Sequence, residues 1–486
     1  MKLSKIIEVI EPIEVINFSN ISIDNLAYNS KNVTGKTLFF AIDGEKYDGH
    51  QFIEDAIRNG ANACVVSKEM GIKDIPVIKV KNVRKTLALA ADFFYGSPSK
   101  KLCVVGITGT NGKTTVSFLI KHILDSVGKK TGLIGTIGCF YGGKKFKIPN
   151  TTPESLYIEK IMKAMVDSGI EFCVMEVSSH GIKMGRVDTI GFDFGILTNI
   201  SRDHLNFHKT FSDYIDTKQR FFKELGEDAT AIINLDDREG AKFIKGILSR
   251  CYTYGLEKKG DFKGEIKRID KNGINFDVLY NDRYVPIKSS LRGRYNIYNI
   301  LPSFAFSSLI GIEEEEIVKA IDSFQGVRGR GELVNTLLGF NCLIDYAHTP
   351  DALLNLLNSE RELADGRLIC VFGAGGNRDR GKRMEMGKIA ASLCDRIILT
   401  SDNPRGEEIL SIINDIKEGI DGKDVTIEMD REKAIALSIT MAERGDSVVI
   451  AGKGHEEYQE IKGKLFPFND REIARFYIKE KEKSSK

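Results

Sequence analysis

The residues with the clearest chemistry lie in Val104–Thr115, VVGITGTNGKTT. Apolar residues run into Gly106, Gly109 and Gly112, and Lys113, Thr114 and Thr115 follow. This order predicts a strand, a glycine-rich turn and the first turn of a helix. Glycine reaches positive φ and lets the backbone close on a polyphosphate. Free N–H groups at a helix start then face the anion. Lys113 would neutralise phosphate charge, and the Thr114 hydroxyl can sit on Mg²⁺. Ile107 stands where G-x-x-x-x-G-K-T has its first glycine, so the spacing is G-x-x-G-x-x-G-K-T. The bland alternative is a chance glycine-rich βα turn. G-K-T-T directly behind a good strand weighs against it.

Two further polar clusters end apolar runs. CVMEVSSHG (173–181) places Glu176 at a strand end, and TNISRDHLNFH (198–208) supplies Asn199, Asp203, His204 and His208. In an open parallel sheet the strand C-termini line the ligand crevice, so a carboxylate there can bind Mg²⁺. Read alone, Glu176 is equally a solvated strand-end residue. The chain has seven histidines. Five of them (His180, His204, His208, His348 and His455) fall in such clusters, which favours a site over isolated structural rings. Lys218, in YIDTKQRFF, reads on its own as a surface lysine. Four later stretches also follow apolar runs: IDYAHTPD (344–351), FGAGGNRDRGKR (372–383), SDNPRGEE (401–408) and GKGHEEYQ (452–459). Arg378, Arg380, Lys382 and Arg383 suit an acidic substrate, arginine through fork-like pairing. Any one of these loops alone reads as solvated surface; four together do not.

The elements that must position these groups follow from periodicity and turns. Residues 1–100 read as a first α/β unit, with strands at 37–42 and 62–66 and helices at 49–59 and 83–95. GSPSKK (96–101) marks a boundary. Residues 101–331 alternate strand and helix, which argues for a parallel sheet covered on both faces. A polar, strand-like stretch at 251–290 interrupts that alternation. Residues 332–486 alternate again as a doubly wound unit. The final IKEKEKSSK (478–486) reads as a disordered, solvated charge run.

Composition narrows the function classes. At roughly 150 residues per domain, 486 residues predict about three domains. A net charge of +2 gives no reason to expect nucleic acid or an anionic membrane. No run of 18 apolar residues exists, so no membrane span is predicted. Glu8, Glu11 and Glu14 interrupt the apolar start, against a secretory signal. The eight cysteines are scattered without a C-x-x-C pair, which reads as buried free thiols in a reducing, cytoplasmic setting.

GITGTNGKTT, MEVSSHG, TNISRDHLNFH, RGRYNIYN, DYAHTPDAL, FGAGGNRDRGKR, SDNPR and GKGHEEYQ together resemble the motif set of the Mur ligases. The match runs in order from residue 22 to 470. The resemblance implies three domains: a small N-terminal UDP-binding α/β domain (1–100), a central P-loop-type parallel-sheet ATPase (101–331) and a C-terminal Rossmann-like domain that brings an amino acid (332–486). It implies an ATP- and Mg²⁺-dependent amide ligation in peptidoglycan precursor synthesis. The carboxylate of UDP-MurNAc-L-Ala-D-Glu is phosphorylated, and the amine of meso-diaminopimelate then displaces phosphate. All implied partners are small molecules, and the implied state is a cytoplasmic monomer without nucleic acid or membrane.

The resemblance also implies roles by position. Gly109, Thr110, Asn111, Gly112, Lys113, Thr114 and Thr115 match the phosphate loop. Asn296 and Asn299 match residues near adenine, Arg330 an ATP-contacting arginine, and Asp345 a ribose contact. Ser30, Asn150, Thr151, Thr152, Ser178 and Arg186 match contacts to the UDP-sugar peptide. Thr114, Glu176, His204 and Lys218, the last as a carbamate, match the metal-binding set, and Lys113, Glu176, His204 and Lys218 the catalytic set. Arg383, Asp402, Asn403, Pro404, Arg405, Gly452 and Glu456 match the amino-acid pocket. Arg405 would pair with a second carboxylate and repel the ammonium of L-lysine. L-Lysine, lanthionine, a folylpolyglutamate synthetase and a catalytically silent nucleotide-binding module stay open as alternatives. The chain departs from the family pattern at Asn29 and Lys31, at Met184 where some relatives carry glutamine, and at Gly406 after DNPR.

Overall fold

The computed structural model describes residues 1–44 and 47–484. Three large sheets and one two-stranded hairpin organise them. In the five-stranded sheet, Asn25–Ala27, Thr37–Phe40, Ala61–Val66 and Val77–Lys79 run parallel, and Glu14–Ile16 closes one edge antiparallel. Helix Val83–Tyr95 starts where the Asn82 side chain accepts the N–H groups of Arg84 and Lys85, and it ends at Gly96 with φ 73°. Its apolar face covers this sheet, and it also meets helix Ser155–Asp167 of the central unit.

The central sheet has eleven strands. Cys103–Thr108 lies between Phe172–Glu176 and Phe194–Leu197, parallel to both. Parallel pairing continues through Thr131–Gly135 on one side. On the other it continues through Thr230–Asn234, Arg250–Gly255 and Phe262–Asp270. The wings are antiparallel: Gly138–Tyr141 and Lys144–Phe146 at one end, Gly273–Tyr280 and Arg283–Ser289 at the other. The middle strands read as continuous apolar runs because helices bury both faces. Val105 and Ile107 face one core with Leu119 and Ile123, while Val104 and Met175 face the other. With three parallel strands side by side, their C-terminal loops emerge at one edge: 109–112, 177–178 and 198–208.

The third sheet pairs Asn341–Asp345, Ser447–Ala451, Leu368–Phe372, Arg396–Leu399 and Val425–Ile427 in parallel, with Glu332–Leu333 antiparallel at the edge. Here too the polar loops leave the C-terminal ends of the strands. In the central unit, strand Phe194–Leu197 leads through the 198–208 loop to helix Phe211–Lys223.

The tail overturns its expectation. Helix Asp470–Ser484 replaces the disordered charge run, with Asp470, Ala474 and Ile478 buried along one face. Lys481 donates to the carbonyls of Ile439, Thr440 and Ala442 and so caps the end of helix Arg431–Met441. Ser485 and Lys486 lie outside the described residues. The eight cysteines are free, six of them buried. Among the described residues no helix is long and apolar enough to cross a membrane.

Candidate active site

The phosphate loop is fixed by its neighbours. Gly109 has φ 141°, and a Cβ there would stand 1.9 Å from Thr198 Oγ1. Gly112 has φ 87°, and its Cβ would meet Asn299 Oδ1 at 2.4 Å. Both positions therefore require glycine for conformation and for space. The Thr110 N–H donates to Asn199 O at 2.7 Å, and Asn111 N–H donates to Asn199 Oδ1 at 2.9 Å. The Thr110 hydroxyl also meets Tyr214 OH at 2.9 Å. Lys113 begins the helix Lys113–Ser126 and folds back over the loop, donating to Gly109 O and Thr110 O at 2.9 Å each. Burial pulls its pKa down, opposed by Glu176 and Asp203.

Glu176 is fully buried yet saturated with donors. Its Oε2 accepts the Thr114 hydroxyl at 3.0 Å and the Thr136 hydroxyl at 2.9 Å, and its Oε1 accepts Thr136 N–H at 3.0 Å. A Cβ on Gly135 would stand 2.3 Å from Oε1. The Thr152 hydroxyl donates to Glu176 O and accepts Ser178 N–H, both at 2.9 Å. Thr151 meets Thr136 at 3.0 Å. Arg186 donates to Thr152 O at 2.9 Å and to Glu154 at 2.6 Å. Thr151, Thr152, Ser178 and Arg186 thus form one wall beside Glu176. Ser30 lies apart, in a short turn of the N-terminal unit where its carbonyl accepts Asn59. Asn150 is exposed in the loop before that wall.

His204 adopts φ 56°. Its Nε2 lies 3.2 Å from Asp203, and its ring stands edge-on to His180. Burial lowers the His204 pKa; His204, His348 and Lys382 together hold Asp203 low against its own burial. Lys218 is buried rather than on the surface. Its ammonium donates to Gly109 O at 2.8 Å and Thr108 Oγ1 at 3.2 Å, and it lies 4.9 Å from the Tyr214 ring centre. Burial, then Lys113, pulls its pKa far down. His204 and Lys218 flank the phosphate loop without touching each other.

A cavity of about 860 Å³ runs from this loop to the C-terminal unit. Asn296 and Asn299 line it, joined by a 2.9 Å hydrogen bond. From the far side come Arg330, Asp345, Tyr346 and His348. Arg330 donates to the Thr114 hydroxyl at 3.2 Å and stacks over Tyr346 at 4.3 Å. Asp345 accepts the N–H groups of Gly331 and Ala347, both at 2.6 Å. Asn111 reaches Asp351 at 2.8 Å. The phosphate loop and the third sheet therefore share one cleft.

The remaining loops form a second cluster on the C-terminal sheet. Arg405, with φ 53°, donates to Glu460 at 3.0 Å and Gly376 O at 2.9 Å, and its Nη2 carries no hydrogen bond among the described residues. Asn403 is held by Lys453, Glu456 and the Glu460 N–H. Gly452 has φ 112°, and a Cβ there would meet Asp402 Oδ2 at 2.5 Å. Pro404 O lies where a Cβ on Gly376 would fall, at 1.9 Å. Arg383 is buried and turned inward, on Glu407 and Asp415 at 2.8 Å each. Thr136, Tyr214, Tyr346 and Lys453 were not singled out by sequence reasoning. Thr136 lies outside every stretch quoted above, while Tyr214, Tyr346 and Lys453 sit inside YIDTKQRFF, IDYAHTPD and GKGHEEYQ beside the residues that drew notice; long-range packing brings all four to the site.

Residues 22–95 match the model described as Mur ligase family, catalytic domain; 107–307 match the Mur ligase middle domain; 329–454 match the Mur ligase, glutamate ligase domain. The chain is 44% identical over 487 residues to the UDP-N-acetylmuramoyl-L-alanyl-D-glutamate–2,6-diaminopimelate ligase of Clostridium tetani, covering 99% of this chain and 100% of that one. A solved structure of a ligase with the same name is 31% identical, with TM-score 0.70, covering 97% of this chain and 98% of that one. The MurF ligase of Thermotoga maritima in complex with ADP shares the fold at 19% identity and TM-score 0.67, over 94% of this chain and 98% of that one. The chain belongs to the Mur ligase family.

Proposed function

We propose that the chain joins the free carboxylate of UDP-MurNAc-L-Ala-D-Glu to an amine of meso-diaminopimelate, driven by ATP. A carboxylate is a poor acyl donor, and phosphorylation supplies a leaving group. Phosphoryl transfer needs charge neutralisation and positioning rather than a protein nucleophile. The 109–112 loop N–H groups and Lys113 hold the phosphates, with Arg330 arriving from the seam between units. Asn296 and Asn299 border the base, and Asp345 the ribose. Thr151, Thr152, Ser178 and Arg186 hold the sugar peptide, with Ser30 and Asn150 contributing farther out.

The residues fit a hard cation. Glu176 and the Thr114 hydroxyl give two oxygen donors on a buried wall beside the phosphate loop, the sparse donor set that suits Mg²⁺ shared with phosphates. His204 and a carbamate on Lys218 would hold a second ion. Burial, by lowering the Lys218 pKa, favours the neutral amine, the form that takes up carbon dioxide. Bound there, Mg²⁺ would supply charge neutralisation on the phosphates.

In the C-terminal cluster, Arg405 presents its free Nη2 to a distal carboxylate. Asp402, Asn403 and Glu456 face the amines, and Pro404 and Gly452 shape the pocket. Arg383 acts from behind, fixing the Glu407 side of the DNPR loop. Unit boundaries at residues 100/101 and 331/332 and a monomeric state belong to the same reading. The observation that carries the function is 44% identity across the whole chain to a ligase of this name. The test is an amino-acid panel in an ADP-release assay. ADP forms only with UDP-MurNAc-L-Ala-D-Glu and meso-diaminopimelate together; faster turnover with L-lysine would sink the specificity.

A further inference from the structure

Six lysines or arginines are buried among the described residues: Lys218, Arg292, Lys382, Arg383, Arg431 and Lys453. Five have evident reasons to be there. Lys218 donates to Gly109 O, Arg292 faces Glu360 at 3.4 Å, and Arg383 holds Glu407 and Asp415. Arg431 pairs with Asp470, and Lys453 with Glu456. Lys382, only 5% exposed, has no hydrogen bond, ion pair or ring contact among the described residues. The Lys382 stem is packed away while its Nζ keeps accessible surface, so the charge is delivered into open space rather than onto a partner within the chain.

Its place says what. Lys382 is the second residue of helix Gly381–Leu393, where the first-turn N–H groups add positive potential. The glycine-rich loop before it touches the central unit: Arg202 pairs with Asp379 at 3.2 Å, and a Cβ on Gly381 would meet Arg202 Nη2 at 2.6 Å. The charges that act on Lys382 are Asp203, Asp402, Asp379 and Arg378, none at ion-pair distance. Lys382 in turn acts on His348. Asp203 and His348 line the cavity, and Asp203 also acts on Lys113. Lys382 therefore shares its surroundings with the phosphate loop although it belongs to the other unit.

We propose that Lys382 is a catalytic residue supplied by the C-terminal unit, whose ammonium contacts the phosphoryl group as it passes from ATP to the substrate carboxylate and then leaves. This rests on the ligase reading above. In the first step a carboxylate oxygen bonds the γ-phosphorus, and the bond to the β–γ bridging oxygen breaks with its electron pair going to ADP. In the second the amine nitrogen bonds the acyl carbon, the carbon–oxygen bond to phosphate breaks with its pair going to inorganic phosphate, and the amine's proton passes to water. Lys382 keeps its proton throughout and offsets charge on the phosphoryl oxygens.

The test is Lys382→Met in the full-length chain, assayed with ATP, magnesium, UDP-MurNAc-L-Ala-D-Glu and meso-diaminopimelate beside wild type. The expected result is a kcat lower by ~100-fold or more, with KM for ATP and for the amino acid within about threefold. A thermal melt gives the second readout. Methionine fills similar volume without the charge, so the melting temperature stays equal or rises. A kcat within threefold of wild type overturns the role. So does a raised KM for the amino acid with kcat unchanged, which would assign Lys382 to that substrate's carboxylate. Lost activity together with a lowered melting temperature overturns it as well, marking the ammonium as structural. Wild-type ADP release that ignores either co-substrate overturns the ligase reading itself, a result distinct from these.

Discussion

Glu176 shows what a functional carboxylate looks like before its ligand arrives: buried, with both oxygens accepting hydrogen bonds from Thr114 and Thr136. Lys113 is similarly provisional, resting on two loop carbonyls that a phosphate would replace. Lys113→Ala should leave the fold intact, because the side chain packs on the loop rather than in a core, and should lower kcat by ~100-fold or more. Circular dichroism and ADP release check both halves; unchanged turnover would refute the assignment. Arg405 makes a second sharp case. Its left-handed backbone favours glycine or asparagine, so Arg405→Asn removes the guanidinium without adding strain. KM for meso-diaminopimelate should rise about 10- to 100-fold, as loss of a charge-assisted pair implies, with KM for ATP unmoved in the same steady-state assay. The phosphate loop and DNPR were legible because their residues are neighbours in sequence. Lys218 was not: its partners Thr108 and Gly109 lie 110 and 109 residues away, and nothing local distinguishes it from a surface lysine.

Between helices, the contact of Val83–Tyr95 with Ser155–Asp167 joins the N-terminal and central units, and it carries a buried acid. Glu159 is fully buried, accepts the Thr189 hydroxyl at 3.2 Å, and leaves Oε2 without a partner, as does Asp92 with Oδ1. Burial, then Asp92, pushes the Glu159 pKa up to about 8. A carboxyl raised above its unfolded value contributes stability that is complete below the unfolded pKa and is lost as pH rises toward the folded one. The window is therefore from about pH 4.5 to 8, at roughly 1.4 kcal/mol per unit. Glu159→Gln should flatten this dependence, raising the melting temperature relative to wild type at pH 8 and changing it little at pH 5. Equal shifts at both pH values would show that Glu159 is not the titrating group. Elements were the most legible level of this chain, since apolar period and glycine turns are local. The tail was the exception. Its charges suggested disorder, while Asp470, Ala474 and Ile478 at four-residue spacing were a helical face whose partner lay elsewhere.

At the scale of the molecule, the C-terminal unit reaches the central one through Asn111 on Asp351, Arg202 on Asp379, and Arg292 on Glu360. No sequence pattern announced these links, because each joins residues far apart in the chain, two of them on helix Pro350–Leu363. Exposed pairs contribute about 0–1 kcal/mol each, so the Arg202 contact alone holds little. Arg292 and Glu360 differ: their side chains are 4% and 2% exposed, and removing either leaves a buried charge. Breaking such a pair costs roughly 3–5 kcal/mol, whereas replacing both members with apolar groups is often neutral. Glu360→Ala should therefore loosen the seam and expand the small-angle scattering profile. It should also raise KM for ATP, since Asn296 and Asp345 border the same cavity from opposite sides of that seam. The double variant Arg292→Met, Glu360→Leu should keep the compact profile and near-wild-type KM. Saturating ATP should bring Glu360→Ala back toward the compact form, because nucleotide bridging the two units favours the docked arrangement by mass action. A Glu360→Ala profile that superimposes on wild type would mean that the Asn111–Asp351 contact, rather than the buried pair, sets the docking.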